Sequence, residues 1–186
     1  AIAMKGSSIA KVDVGGASIK LGEDGSYTLG LGATDMGTGC DTILSQMAAD
    51  VLETDFDNIV VFGVDTDISP YDSGSYASAT TYITGIAVAD ACEQLREKIK
   101  KLGAEMMGTD IEKVEFDGKR VYMLEGEGEV SLEAIAAKGT SGNSTSIQAS
   151  AHRSSQISPP PFMAGAEENK VAKESGSPEI VDYGAG

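Results

Sequence analysis

Apolar and polar positions alternate with a period of two between Ala17 and Leu31, with Ile19 and Leu21 on one side of Asp24-Gly25 and Tyr27, Leu29 and Leu31 on the other. Alternation around a strong turn dipeptide predicts a β-hairpin with one buried face. Ile9 to Val14 is expected to add a short strand ahead of it. The period then lengthens. Ile43, Leu44, Met47, Ala48, Val51 and Leu52 recur at helical spacing behind Asp41, the expected N-cap. Ile59 to Val64 is a short apolar run rich in β-branched residues, which predicts a buried strand. After Pro70, a helix is expected from Tyr82 to Leu102, with Ile86, Leu95, Ile99 and Leu102 inward. Glu93, Arg96, Glu97, Lys100 and Lys101 are expected to form its solvated face, without partners.

Further along, Asp117-Gly118 between Val114–Phe116 and Val121–Leu124 predicts a second hairpin. A short helix follows from Ser131 through Ala137 with Gly139 as its cap, then a small-polar loop to Ser146, a strand over Ile147–Ala151, and an extended Pro159-Pro160-Pro161 segment. Helices and strands interleave without a strict βαβ rhythm. The fold class predicted is therefore α+β: a mixed β-sheet with two main helices, each entered from a glycine- and hydroxyl-rich loop. Residues 1–163 are read as one domain and 164–186 as an atypical hairpin or tail.

Charge and cysteine content narrow the function classes. At 186 residues and a formal charge of -15, the chain can bury a core but repels nucleic acid and anionic membrane surfaces. No apolar run has the length of a spanning helix, and no leader sequence is recognisable. Cys40 and Cys92 are too few for a disulfide framework or a thiolate metal cage, so free thiols and a cytoplasmic location are expected. The first residue, Ala1, is read as the start of an excised or processed segment.

The candidate chemistry lies in the two loops, Gly32–Thr42 and Tyr71–Thr81. Glycine-rich backbone running into a helix offers N–H groups and close approach to a phosphorylated ligand. Both loops resemble the molybdopterin-binding region of the molybdenum hydroxylases, the xanthine dehydrogenase and aldehyde oxidase family. The likeness covers about Ile2 to Leu95 and returns at Ser155–Phe162. It implies that the Met36–Gly39 loop and the Ser75–Thr81 loop hold the pterin and its pyrophosphate, and that Ala77 lies beside the metal. Thr38 stands where the family most often carries Gln. The cofactor contacts implied are Gly37, Thr38, Gly39, Cys40, Ala77, Ser78 and Thr80, for molybdopterin, with its cytosine dinucleotide form as one option.

The same resemblance implies a parent enzyme that hydroxylates a purine or related heterocycle, working with the remaining molybdenum-binding part and with iron–sulfur and FAD subunits. The family's catalytic glutamate follows a glycine downstream of the matched segment. Gly126-Glu127 and Gly128-Glu129 are expected instead to be solvated loop, and iron–sulfur cysteine clusters are absent from the sequence. No catalytic residue and no protein metal ligand is therefore assigned.

Plainer readings stand beside these. Cys40 is foremost a small residue at a helix start, although a helix N-terminus can lower a thiol's pKa. His152, the single histidine, is expected on a surface or strand, and Asp65 and Asp67 in a turn. Past Phe162, small and polar residues (Ala166, Asn169, Pro178, Gly184 and Gly186) replace the apolar face usual in the family. Two readings follow from this. One is a partial molybdopterin-binding domain, inactive alone. The other is a stand-alone, cofactor-free structural module, redesigned for solubility.

Overall fold

The structure is a computed structural model, and it describes residues 1–154 apart from 4, 10, 11, 64 and 141–146. Its order is β1 (Val14–Leu21), β2 (Tyr27–Leu31), α1 (Cys40–Leu52), β3 (Ile59–Phe62), α2 (Gly85–Met107), β4 (Val114–Phe116), β5 (Arg120–Met123), β6 (Glu129–Ser131), α3 (Leu132–Thr140) and β7 (Gln148–Ser154). The α+β class is as expected. A four-stranded mixed sheet runs β3-β2-β1-β7, and a three-stranded antiparallel sheet runs β4-β5-β6. The proposed boundary at residue 163, the triple-proline segment, and the tail fall outside the described residues, as does most of the loop before Ile147.

The predicted hairpin forms β1 and β2, with Ile19 opposite Leu29 and Leu21 opposite Tyr27. One face of the sheet carries Ala17, Ile19, Leu21, Tyr27, Leu29 and Leu31, all buried. Against it pack Leu44, Ala48 and Leu52 of α1 and Ala87, Val88, Ala91, Cys92, Leu95 and Ile99 of α2, in one continuous core. Among the described residues, no helix is long and apolar enough to cross a membrane.

Several expectations are corrected. The Ile9–Val14 strand is not formed as expected: the Val12 and Asp13 amides both turn back to the Ile9 carbonyl, and β1 opens at Val14. The run from Ile59 is not a buried strand but an edge strand, parallel to β2, with Val60 and Phe62 exposed. Ile43 and Ile86, expected inward, face outward. Thr80–Thr84 form a π-helical turn, and α2 starts only at Gly85. Ile86 lies about half a turn round α2 from Leu95, so the two cannot share the buried face. Gly139 lies within α3 rather than capping it, and a Cβ there would sit 2.6 Å from Ile147 Cδ1. Ser131 does accept the Ala134 amide at 3.3 Å, as a helix cap should. Strand β6 was not anticipated; its three residues are too short to show a period.

The charge stripe on α2 needs the largest correction. Arg96 is not a free surface cation. Its guanidinium meets Glu53 Oε1 at 2.6 Å and donates to the Val51 carbonyl at 3.1 Å and the Phe116 carbonyl at 3.0 Å. It also reaches Glu115 at 3.4 Å and lies over the Phe116 ring, 5.9 Å from its centroid. Lys100 pairs with the same Glu115. Arg96 thereby joins the C-terminal end of α1 to β4, with its side chain only 19% exposed. The turn of the second hairpin presses on the same corner, because Gly118 (φ 84°) leaves no room for a Cβ beside the Glu53 carbonyl.

Two predictions follow from this packing. Arg96→Ala should lower stability by roughly 2–3 kcal/mol, the range for leaving half-buried partners unpaired, and Arg96→Lys should recover only part of it because an ammonium cannot fork between two carbonyls. Urea denaturation midpoints measure both. The second prediction concerns the buried thiol of Cys92, which burial, reinforced by the nearby Glu93 charge, pushes from 9.0 to about 12. An acid group held protonated in the fold contributes stability that is fully present below its unfolded pKa and is lost progressively as pH rises from that value to the folded pKa. Stability should therefore fall above pH ~9, by up to about 1.4 kcal/mol per pH unit from this thiol. Cys92→Ala should flatten that fall in a denaturation series between pH 8 and 11.

Candidate functional site

A strip of strand without side chains sets the site. Gly15 and Gly16 open β1, and Gly32 follows β2. A Cβ on Gly15 would meet Thr84 Oγ1 at 2.6 Å and backbone atoms of Thr84 just beyond. One on Gly16 would meet the Tyr71 carbonyl oxygen at 2.6 Å, and one on Gly32 the Pro70 carbonyl oxygen at 2.4 Å. The second glycine loop therefore lies directly on the sheet backbone, and the base of the first loop touches the base of the second. Glycine inside a strand is the usual mark of such a close backbone approach.

Hydrogen bonds hold the second loop there. The Val14 amide donates to Ser73 Oγ at 2.8 Å, and the Ser73 amide donates to the Val14 carbonyl at 2.9 Å. Asp72 accepts from the Gly74 amide and from the buried Thr84 hydroxyl, each at 2.8 Å. Beyond this anchor the chain turns through Ala77 (φ 46°) and Ser78 (φ 61°), two consecutive non-glycine residues in the left-handed region. Such strain persists only where the surroundings impose it. Here the Ser8 amide, itself at φ 65°, donates to the Ala77 carbonyl at 2.8 Å. Lys5 Nζ donates to Ser78 Oγ at 2.9 Å, and Ser75 and Thr80 share a hydroxyl contact of 2.6 Å.

The first loop has a different character. Gly37 (φ 98°) and Gly39 (φ 74°) face open space, with nothing within 4 Å of an added Cβ. Asp41 does not cap α1; the N-cap position is Gly39, without a side-chain cap bond. Asp35 takes the capping role from outside the helix, its Oδ1 accepting the Gly37 amide at 2.8 Å and the Gly39 amide at 3.2 Å. Those bonds, the one from Gly37 foremost, hold its carboxyl below the usual range.

Thr38 is exposed at the loop tip, while Cys40 is buried at the first position of α1. The helix start does not activate that thiol: burial dominates and raises its pKa, aided by the Asp41 and Asp35 charges, against a smaller lowering from the Thr38 hydroxyl. Asp35, Cys40 and Asp41 bring one potential ligand atom each within 4.8 Å of one another, but the Asp35 carboxylate is already committed to the loop amides.

The structure thus places Gly37, Thr38, Gly39 and Cys40 together on one loop, and Ala77, Ser78 and Thr80 on the other. The π-helical turn after the second loop packs against both α1 and β1. Asp65 closes a turn, its carbonyl accepting the Ile68 and Ser69 amides and its carboxylate the Asp67 amide, as its plain reading required. His152 is an exposed strand residue opposite Gly16. Gly126 and Glu127 lie in the β5–β6 turn, and Glu129 begins β6 paired with Arg120. Sequence reasoning missed Lys5 and Ser8, whose partners Ser78 and Ala77 lie far along the chain, and Asp35 and Asp72, whose carboxylates accept backbone amides that carry no residue identity.

Comparison with known proteins decides the family. The profile of the molybdopterin cofactor-binding domain matches residues 1–185. The chain belongs to this family. The probable hypoxanthine oxidase XdhD of Escherichia coli is 39% identical over 142 residues, which is 76% of this chain and 15% of that protein. The putative xanthine dehydrogenase molybdenum-binding subunit XdhA of Escherichia coli is 35% identical over 97 residues, 52% of this chain and 13% of that protein. The chain thus spans only a small part of these relatives. The solved structure of reconstituted CO dehydrogenase from Oligotropha carboxidovorans superposes with a TM-score of 0.68 at 23% identity, over 76% of this chain and 18% of that one. Quinoline 2-oxidoreductase from Pseudomonas putida 86 gives 0.63 at 22%, over 76% and 19%. At such identities the likeness shows the fold alone.

For this molybdopterin cofactor-binding domain, the loop anchors give two predictions. Gly16→Ala should cost about 1–3 kcal/mol by overpacking against the second loop, and hydrogen exchange should show faster opening at Gly74. Ala77→Gly should raise stability by about 0.5–1 kcal/mol, the left-handed penalty exceeding the extra chain entropy of glycine. Thermal denaturation of that variant checks the sign.

Proposed function

We propose that the two loops are the part of a molybdenum hydroxylase that holds the molybdopterin cofactor, with Gly37, Thr38, Gly39 and Cys40 on one side and Ala77, Ser78 and Thr80 on the other. The observation that carries this reading is the strained Ala77-Ser78 turn, fixed by hydrogen bonds and set on a glycine-cleared sheet beside an open glycine loop. The donor set fits the group. Open backbone at Gly37 and Gly39 and the hydroxyls of Ser75, Ser78 and Thr80 suit a pterin edge and phosphate oxygens.

When bound, the group would supply the metal that transfers oxygen and takes up two electrons. The chain's own task is to bind and orient it. Rigid loop anchors at Ser73, Asp72 and Thr84 serve that task, since they hold the loop before any ligand arrives. A purine or related heterocycle as the parent's substrate is supported by the names that XdhD and XdhA carry. Association with iron–sulfur and FAD subunits, a cytosine dinucleotide form of the cofactor and a cytoplasmic location complete the proposal. A related protein, the gamma subunit of the 6-hydroxypseudooxynicotine dehydrogenase complex of Paenarthrobacter nicotinovorans, is named as part of a complex.

A second reading, a cofactor-free module, is favoured by one observation: Asp35 already satisfies the Gly37 and Gly39 amides. The chain purified from a host that makes molybdenum cofactor separates the two. Native mass spectrometry, molybdenum analysis and pterin fluorescence on one sample should show a mass above the bare chain with both signals. A bare mass with neither signal selects the second reading.

A further inference from the structure

Strain and unpaired polar atoms collect at one spot, where the N-terminal segment meets the second loop. Of the four described non-glycine residues with positive φ, three are there: Ser8, Ala77 and Ser78. Of the three buried side-chain oxygens without a hydrogen-bond partner among the described residues, two are there as well, Ser8 Oγ and Asp13 Oδ1. Asp13 is a carboxylate only 1% exposed, although Ile9 and Val12 beside it are open to solvent. Left-handed backbone and orphaned buried oxygens each lower stability. Such costs gather where a shape serves something other than stability.

The bonds among these residues close into a frame. Asp13 holds Ile9 twice: its amide donates to the Ile9 carbonyl at 3.2 Å, and its Oδ2 accepts the Ile9 amide. On one side of this pair, the Ser8 amide donates to the Ala77 carbonyl at 2.8 Å. On the other side, Val14 exchanges two bonds with Ser73. Residues 73–77 are thus spanned by residues 8–14, and the Asp13–Ile9 pair sets the length of the span. Its Val14 end is secured by the sheet, because Val14 opens β1. Ser8 belongs to no strand and is placed by the turn that Asp13 closes. Without Oδ2 that turn keeps only its two backbone bonds to the Ile9 carbonyl.

We propose that Asp13 is a positioning residue for the second loop: it fixes Ser8, and Ser8 in turn holds Ala77 and Ser78 in their left-handed conformation. The carboxylate serves as an acceptor rather than as a charge, since its partner among the described residues is an amide. Asparagine supplies the same acceptor and alanine supplies none. The consequence for ligand retention rests on the cofactor-holding reading above; the consequence for loop shape does not.

Isotopically labelled chain carrying Asp13→Ala should show moved Cα and amide resonances at Ala77 and Ser78. Hydrogen exchange at the Ser8 amide should quicken by about tenfold, the worth of one hydrogen bond, while the core amides of Leu29 and Leu95 stay protected. Asp13→Asn should return both readings to those of the unaltered chain. A loss of core protection in Asp13→Ala passes the test to Ser8→Pro, which deletes the donating amide, leaves Asp13 in place and should move the same two residues. Pterin retention in a host that makes molybdenum cofactor should fall with Asp13→Ala and recover with Asp13→Asn.

Unmoved Ala77 and Ser78 resonances in Asp13→Ala or Ser8→Pro overturn the proposal, and so does an Asp13→Asn chain that behaves as Asp13→Ala does. Moved resonances with pterin absent even from the unaltered chain overturn the cofactor reading and leave the positioning role standing. Moved resonances with full pterin retention in Asp13→Ala overturn the link between loop shape and ligand.

Discussion

Everything at the candidate site depends on the absence of side chains at Gly15, Gly16 and Gly32. These positions let backbone lie on backbone, with the Pro70 and Tyr71 carbonyls and the Thr84 main chain within van der Waals distance of the strands. A single methyl group would force the second loop outward, and the network of Ser73, Asp72 and Thr84 would lose its reach. The strain at Ala77 and Ser78 is sustained by that anchoring, because a loose loop would relax into ordinary backbone angles. Local rigidity here is thus a property of the sheet as much as of the loop.

The core supplies the second level of support. α1 and α2 cover one face of the sheet, and both helices start at the loops they follow. Met47 of α1 packs against the open face of Gly85 at the head of α2, so the two helix starts are set side by side. At the far end, Arg96 ties the last turn of α1 to β4. A change in the tilt of either helix is resisted at both ends, and the two loops inherit a fixed separation. In the proposed reading, the chemistry would belong to the cofactor that the loops hold. The protein contributes a cradle whose shape does not wait for the ligand.

Much of this was legible in the sequence, where period and turn chemistry speak directly. Asp24-Gly25 and Asp117-Gly118 marked both hairpins, and Leu44, Ala48 and Leu52 marked the buried face of α1. The loops were legible through their wording, which resembles a known family. The failures have a common cause. Arg96 reads as a surface cation because four of its partners are distant in sequence, two of them carbonyls that carry no residue identity. Asp35 reads as a loop residue because the loop amides it satisfies are likewise anonymous. The π-helical turn at Thr80–Thr84 has no signature in hydrophobic spacing, and Ile86 stands about half a turn round α2 from Leu95, so it points away from the core that Leu95 enters. Ile59–Phe62 was misjudged because a β-branched run states strand preference but not whether a strand lies at the centre or the edge of a sheet.

That edge position has a consequence for how the chain behaves in concentrated solution. β3 ends the four-stranded sheet, so its outer row of N–H and C=O groups faces no described strand, and Val60 and Phe62 stand exposed along it. Such a row is a template on which another chain's strand can dock. What opposes this is long-range repulsion between molecules that each carry a charge of -15. Solubility is thereby made a matter of ionic strength: counterions that shorten the reach of the charge to roughly 3 Å at 1 M salt leave the edge undefended.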